Sequence, residues 1–450
     1  MSVTLYIERG AETVMLSSGN WMLFEPHWEP RGGRGPDVVT EEIGLYCQQS
    51  DPAGVRDAVR ALEKMIAHYA PERQSTKTGN KTWLVFAAYS GATAMRSEIT
   101  GGTLGGVSLH RLNLPENQAV TLHITRRNFW EADTETQLDL DNINGTDNTA
   151  GLEVDNTDDT TRDNFVEVDA ADVGGVLPGA ARLEITNNFV GDDMRTVYVG
   201  VAPKDSADPD NFTHILEAES ATRDGTYASS SATADAAASN GEYVSVAALP
   251  STSVDLFTWT VSSAQLGYAG YLWFHALLRF FTKPSNGTIT ARLTVKNGAT
   301  TLWQSQYFVL GSSDTLQSLG PVQISPALFD VTSLAPLTVI LSASDSAATG
   351  TFALDYLALL PTDSWRKLSP FSSDDVDNAE TLVIDDIDDV VYVTQAGGKS
   401  PFYSAEGRPL RLWPGVDHRI YILHDDSLGN AAITRTCTVK LYYRQRVVTL

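Results

Sequence analysis

Residues 51–69 read DPAGVRDAVRALEKMIAHY, the one stretch of this chain with a helical period. Asp51 supplies an N-cap acceptor, and Pro52 stands where the first helical turn needs no N–H donor. Val55, Ala58, Val59, Leu62, Met65, Ile66 and Tyr69 then recur at three- and four-residue steps, which lays one apolar stripe along a helix. Pro71 ends it. On either side the apolar residues alternate instead, in short runs at Val3–Glu8, Thr13–Leu16, Glu42–Gln48 and Thr82–Ala88, and in a strand pair around Leu104–Leu114 and Val120–Asn128. Between them Glu29–Pro36 (EPRGGRGP) suits only an exposed loop. One helix among strands predicts a small α+β unit over residues 1–133.

Beyond residue 133 the character changes. From Asp133 to Asp172 a single base, Arg162, stands in a run of acids. Leu138 and Leu140, Leu152 and Val154, and Phe165, Val166 and Val168 mark short strands between Asn, Asp and Gly turns; Leu183–Ile185 and Val197–Val199 continue the pattern. Residues 134–210 therefore predict one part of a β-sandwich. A polar linker follows at 205–213, then a run of strands to residue 361 that has the pattern of a self-contained all-β unit. Within it Ala228–Ser239 is a low-complexity loop. Residues 363–450 carry a second acidic run and further strands, with turn tetrads at Glu406–Pro409 and Pro414–Asp417.

Composition narrows the function. The chain has 450 residues, 56 acids against 32 bases and a formal net charge of −24. Such a surface repels phosphates, and no basic cluster overrides it, so direct nucleic-acid binding is not expected. No apolar run reaches the ~20 residues that span a bilayer, so membrane insertion is not expected either. The first residues lack a secretory signal, which predicts synthesis and retention in a cytoplasm. Two cysteines, Cys47 and Cys437, make no disulfide framework and are expected as buried thiols. Nucleophile-elbow, zinc-protease and phosphate-loop motifs are absent, and the eight histidines are scattered. Asp139–Gly145 has the look of an EF-hand loop, but Ile143 sits at its fifth position and the glycine comes one place late. The expectation is a protein that is not an enzyme.

Two resemblances give the parts an identity. The middle unit resembles family 6 and family 35 carbohydrate-binding modules through Leu216-Glu217-Ala218-Glu219 at its start and Leu354-Asp355-Tyr356-Leu357 at its end. Gly241-Glu242-Tyr243-Val244 and Ala269-Gly270-Tyr271-Leu272-Trp273 match strands between them. The resemblance implies a jelly roll at 211–362 whose first and last strands pair, bringing Glu217, Glu219 and Asp355 together as ligands of a structural Ca²⁺. The alternative for these acids is a solvated sheet edge. It also implies sugar contacts from Tyr227, Tyr243, Asn286 and Trp303, although Tyr243 and Trp303 lie in strand-like sequence that suits a core as well.

The flanking parts resemble distal tail proteins, minor tail proteins of long-tailed bacteriophages. The order of strands, helix and strand in 1–133 is theirs. Val176–Asn187 resembles a recurrent Gly-x-x-Pro-Ala pattern of such proteins, and Pro409–Ile420 their Pro-Gly-x-Asn turn, with Asp417 where Asn is usual. The fold expected is mainly β. An N-terminal α+β ring-forming domain with one helix (1–133) precedes β-sandwich and jelly-roll domains; 134–210 and 363–450 are read as two parts of one sandwich interrupted by the module, with two separate small domains as the alternative. The function implied is a structural virion protein at the tail tip, a homo-oligomeric ring (a hexamer by resemblance) joining tail tube protein to tail hub protein. Its module stands apart and touches host cell-surface polysaccharide. A stand-alone glycan-binding protein, or a fibre or capsid appendage, is the alternative.

Overall fold

The structure, a computed structural model, describes residues 3–23, 38–49, 51–66, 81–89, 91–105, 117–147, 149–156, 163–189, 193–203, 215–261, 273–323, 337–362, 364–370, 375–388, 390–426 and 436–448. It is mainly β, with one α-helix among these residues. The loop expected at Glu29–Pro36, the linker 205–213, Tyr69 and the stretch Ala269–Leu272 lie outside the described residues.

The helix spans Pro52–Ile66 and buries Val55, Ala58, Val59, Leu62, Met65 and Ile66, the stripe expected from their spacing. Asp51 Oδ1 accepts the Gly54 N–H at 2.8 Å and so caps the first turn. The helix lies on an antiparallel sheet ordered Glu12–Met15, Thr4–Arg9, Thr82–Ala87, Met95–Gly105, Asn117–Arg127, Val38–Gln48, Trp21–Leu23. Leu5, Ile7, Ile43, Leu45, Leu84, Leu122 and Ile124 face it and close this core.

Next in the chain is a sandwich drawn from two distant stretches. One sheet runs Gly145–Asp147, Leu140–Asn142, Phe165–Val168, His418–Asp426, Met194–Pro203, Trp365–Ser369, Tyr403–Gly407. The other runs Leu152–Val154, Cys437–Tyr443, Gly179–Asn187, Thr381–Asp385, Val390–Gln395, Gly398–Pro401. Both sheets mix strands from before residue 204 with strands from after residue 364, so neither stretch has a sheet of its own. Alternate residues such as Val197, Val199, Leu183, Ile185, Ile420, Ile422, Val439 and Leu441 fill the interior. Cys437 lies in this core and Cys47 in the first, both as free thiols.

The chain between these stretches forms two further sheets with a core of their own, including Val244, Leu256, Phe280, Leu293, Leu341 and Leu354. Ile215–Glu217, Glu242–Val246, Phe352–Pro361, Trp273–Thr282 and Leu316–Gln323 make the inner sheet. Val254–Val261, Leu337–Asp345, Ile289–Asn297 and Thr300–Gln304 make the outer one. The loop at Ala228–Ser239 is pinned at both ends, with Ala228, Ala238 and Ser239 all buried.

This unit does not stand apart. Phe352–Pro361 (FALDYLALLP) is buried at every position. Leu354, Leu357 and Leu359 point into the unit's own core, while Tyr356, Ala358 and Leu360 point out and meet Phe165, Tyr198, Trp365, Tyr421 and Leu423 of the sandwich. A strand covered on both faces needs a nearly continuous apolar run, which this one has apart from Asp355. The contact is sheet on sheet, and the four sheets form one stack. Gly200 marks the closest approach, since a Cβ there would meet Leu360 at 3.0 Å. His275 stacks on Trp365 with ring centroids 3.6 Å apart, and Asp425 Oδ1 accepts both the N–H (2.8 Å) and the hydroxyl (2.7 Å) of Thr315 across the boundary.

The chain finally returns to where it began. Arg446–Val447 pairs with Trp130–Ala132 in the first sheet, Arg446 opposite Glu131. Gly175 passes beside it with φ +104°, and any Cβ there would come within 2.6 Å of the Arg446 carbonyl oxygen, so glycine is required twice over.

Candidate functional site

Ile215–Glu217 pairs with Phe352–Pro361 in the register Leu216 to Leu357, which places Glu217 opposite Tyr356 and next to Asp355. The three acids expected as calcium ligands thus meet in one place, around the turn Ser239–Gly241. Ser239 N–H donates to Asp355 Oδ1 at 2.9 Å and its hydroxyl to Glu217 Oε1 at 2.7 Å; Asn240 Nδ2 donates to Glu219 Oε1 at 2.8 Å. Asn240 adopts φ 49° to do this, a conformation asparagine tolerates better than most residues. The Arg279 guanidinium approaches Asp355 Oδ2 to 4.0 Å. Burial pushes the Asp355 carboxyl up to about 8 against the pull of Arg279, and burial also raises Glu219.

Calcium needs six to eight oxygens at about 2.3–2.6 Å. Here the first oxygen of each acid is already taken by the turn. Among the described residues no three His, Cys, Asp or Glu side chains are grouped closely enough to hold a metal ion. The donors are of calcium's chemical kind, and Glu219 Oε2 is buried without a hydrogen-bond partner. Ser239, Asn240 and Arg279 are the neighbours that hold the acids.

The four sugar-contact candidates lie on different elements. Tyr243 belongs to the inner sheet and stacks on Phe281 at 3.8 Å. Trp303 lies on the edge strand of the outer sheet and packs against the core, as does Tyr227. Asn286 is a turn anchor: its oxygen accepts from the N–H and hydroxyl of Thr288, and its amide donates to Asp345 at 3.3 Å.

The two tail-protein stretches have structural roles. Gly179–Asn187 lies between Cys437–Tyr443 and Thr381–Asp385, and the fully buried Asn187 donates to the Val376 carbonyl at 2.7 Å while accepting from Phe189 N–H at 2.9 Å. Asp417 accepts the Ala170 N–H at 2.6 Å, tying the Pro-Gly turn to the other half of the sandwich.

Sequence reading did not single out the outer face of the outer sheet, where Ser342, Ile340 and Thr294 are buried. Its strands put Asp255 beside Ser342 and Ser342 beside Arg292; Thr258, Ile340, Thr294 and Gln304 form the next row. Arg292 lies 4.6 Å from the centre of the Tyr307 ring, itself 49% exposed. The signal was present in the alternation Thr290, Arg292, Thr294, Lys296, all polar, against Ala291, Leu293 and Val295.

No protein-family model matches the chain, and no curated protein matches it. Among solved structures, the SPP1 Dit protein, described as a paradigm of hub adsorption apparatus in phages infecting Gram-positive bacteria, aligns over 98% of this chain and 98% of its own, with 8% identity and a TM-score of 0.30. The phage P2 baseplate in its activated conformation with calcium aligns over 99% and 98%, with 8% identity and a TM-score of 0.27. An exo-β-1,3-galactanase of Phanerochaete chrysosporium aligns over 72% and 55%, with 12% identity and a TM-score of 0.20. Scores of this size carry no argument about fold or function, which rest on the chain's own residues.

Proposed function

We propose that this chain is a non-enzymatic structural protein of a phage tail tip. It assembles with copies of itself into a ring between tail tube protein and tail hub protein, and carries its jelly roll outward toward host cell-surface polysaccharide. One observation carries the reading: the chain runs from first sheet to sandwich to jelly roll and then back through sandwich to first sheet. That nesting turns three units into one stiff body with a projecting insert, as a load-bearing ring subunit requires. Val176–Asn187 and Pro409–Ile420, which resemble tail-protein patterns, both serve the body and not the insert. Heterologous contacts between such subunits close a ring. The acidic surface suits a channel through which DNA passes without sticking.

The test is the mass of the purified protein by light scattering over a wide concentration range, with electron imaging of the particles. Closed rings of fixed copy number are expected. A persistent monomer that binds saccharide would replace this reading with that of a stand-alone glycan-binding protein.

A further inference from the structure

Asparagine followed by glycine occurs four times in the sequence, at 144–145, 240–241, 286–287 and 297–298, each time at a turn of the chain. The pair suits turns because glycine accepts a positive φ and the asparagine amide bonds locally. It also carries a chemical liability. The glycine nitrogen, unshielded by a Cβ, can attack the side-chain carbonyl carbon of the asparagine before it. The side chain must swing back onto its own backbone for this, so each hydrogen bond that holds the amide or the attacking N–H opposes the reaction.

Three of the pairs are held. Asn286 is fixed at both ends: its oxygen accepts from the Thr288 N–H at 3.1 Å and hydroxyl at 2.9 Å, and its amide nitrogen donates to Asp345 at 3.3 Å. The Asn240 amide donates to Glu219 at 2.8 Å, and the Gly241 N–H that would attack donates to the Ala238 carbonyl at 3.0 Å. The Asn144 amide donates to the Glu153 carbonyl at 3.0 Å, and its N–H to Asn142 Oδ1 at 2.9 Å. Asn297 differs. Among the described residues neither its side chain nor the Gly298 N–H makes a hydrogen bond. Asn297 stands opposite Thr300 and closes the hairpin between Ile289–Asn297 and Thr300–Gln304, with Gly298 (φ +58°) and Ala299 as an exposed loop. Pairing is irregular between Val295 and Lys296, and no described strand lies beyond Thr300–Gln304. A hairpin end at a sheet edge opens at little cost, which frees Asn297 to turn.

We propose that Asn297–Gly298 is a site of spontaneous deamidation. The Gly298 nitrogen bonds to Asn297 Cγ and gives up its proton, and the side-chain nitrogen leaves as ammonia. Water, the one co-reactant, then opens the succinimide ring to aspartate or isoaspartate. Either product sets a carboxylate next to Lys296 at the tip of the hairpin. Isoaspartate also lengthens the backbone at a two-residue loop, where loop length fixes the register, and so disturbs the pairing of Asn297 with Thr300. The edge of the outer sheet changes as the protein ages.

The experiment is peptide mapping by mass spectrometry of the full chain after storage at neutral and at mildly alkaline pH, with isoaspartate read by enzymatic methylation. The peptide holding Asn297 gains one mass unit, and does so faster at the higher pH because the attacking nitrogen must lose its proton. Peptides holding Asn144, Asn240 and Asn286 react about tenfold more slowly or less, since one or two hydrogen bonds must break first. In guanidinium chloride the four sites react at similar rates, and Asn297→Gln removes the change from its own peptide in the folded protein. An intact Asn297 in the folded protein, or equal rates at all four sites there, overturns the proposal. The same order and spread of rates in guanidinium chloride overturns it too, because the cause would then be sequence and not structure.

Discussion

Arg446 and Glu131 lie 315 residues apart in sequence, yet the Arg446 guanidinium donates to Glu131 Oε2 at 3.3 Å through Nε and 3.1 Å through Nη2. Arg96 takes the other oxygen, at 3.2 Å and 3.1 Å. Glu131 is 2% exposed, so both guanidinium groups serve one buried carboxylate at the seam between the first sheet and the returning chain. Four residues on, Glu135 is shared in the same way between Arg182 and Arg444.

Removing the shared acid leaves two buried cations facing each other. Glu131→Ala is expected to destabilise the protein by about 3–5 kcal/mol, the usual result of breaking a buried pair from one side. Urea unfolding followed by tryptophan fluorescence measures it, since Trp130 is adjacent. A loss below about 1 kcal/mol, typical of exposed pairs, would show that water reaches this seam.

His275 makes the jelly-roll junction sensitive to acid. Burial holds its imidazole down at about 3, with Lys367 adding to the effect, while its hydroxyl partner Ser318 lies 2.8 Å away. The unfolded chain takes up a proton below about 6.5 and the folded one does not until about 3. Stability from the neutral ring is therefore present above pH 6.5 and lost as the pH falls toward 3, on the order of 4 kcal/mol over the whole window. Unfolding midpoints at pH 7.5 and pH 4.5 test this against His275→Phe. The wild type should lose more than the variant, and equal losses would remove His275 from the account.

Gly200 sets the spacing of the stack. With Leu360 already 3.0 Å from where a Cβ would be, Gly200→Val must push the two sheets apart and is expected to cost about 1–3 kcal/mol. Limited proteolysis adds a second readout: the variant should be cut sooner than the wild type. A variant as resistant as the parent would mean that the contact yields without parting.

Calcium binding at Glu217, Glu219 and Asp355 is what the carbohydrate-module resemblance implies. A site filled to a hundred times its Kd adds about 2.7 kcal/mol to stability. With Ser239 and Asn240 bonded to the acids, the thermal midpoint in millimolar calcium is expected to equal that in chelator. A rise of several degrees, abolished by Glu219→Gln, would restore the calcium ligands.

Much of this fold is legible in the sequence because local period dictates it. The stripe from Val55 to Ile66 could only be a helix, and the alternation in Leu183–Ile185 or Val197–Val199 could only be strands with one face inside. The meeting of Glu217 with Asp355 is legible too, through the strand pairing that the carbohydrate-module resemblance implies. What stays hidden is whatever depends on a strand's second face. Tyr356, Ala358 and Leu360 are apolar for the sake of a partner sheet, but within one run they cannot be told from residues of a single core. The seam at Glu131 is hidden by distance, because no local pattern links residue 131 to residue 446.

That seam bears on how the protein is made. The sheet that starts at Thr4 lacks its Arg446–Val447 strand until the ribosome has passed residue 447, and the sandwich lacks its central strands until nearly as late. Only the jelly roll has all its described strands within one continuous stretch of chain. It can form during synthesis, while the older, upstream portions wait for residues 446 and 447 before their own surfaces close.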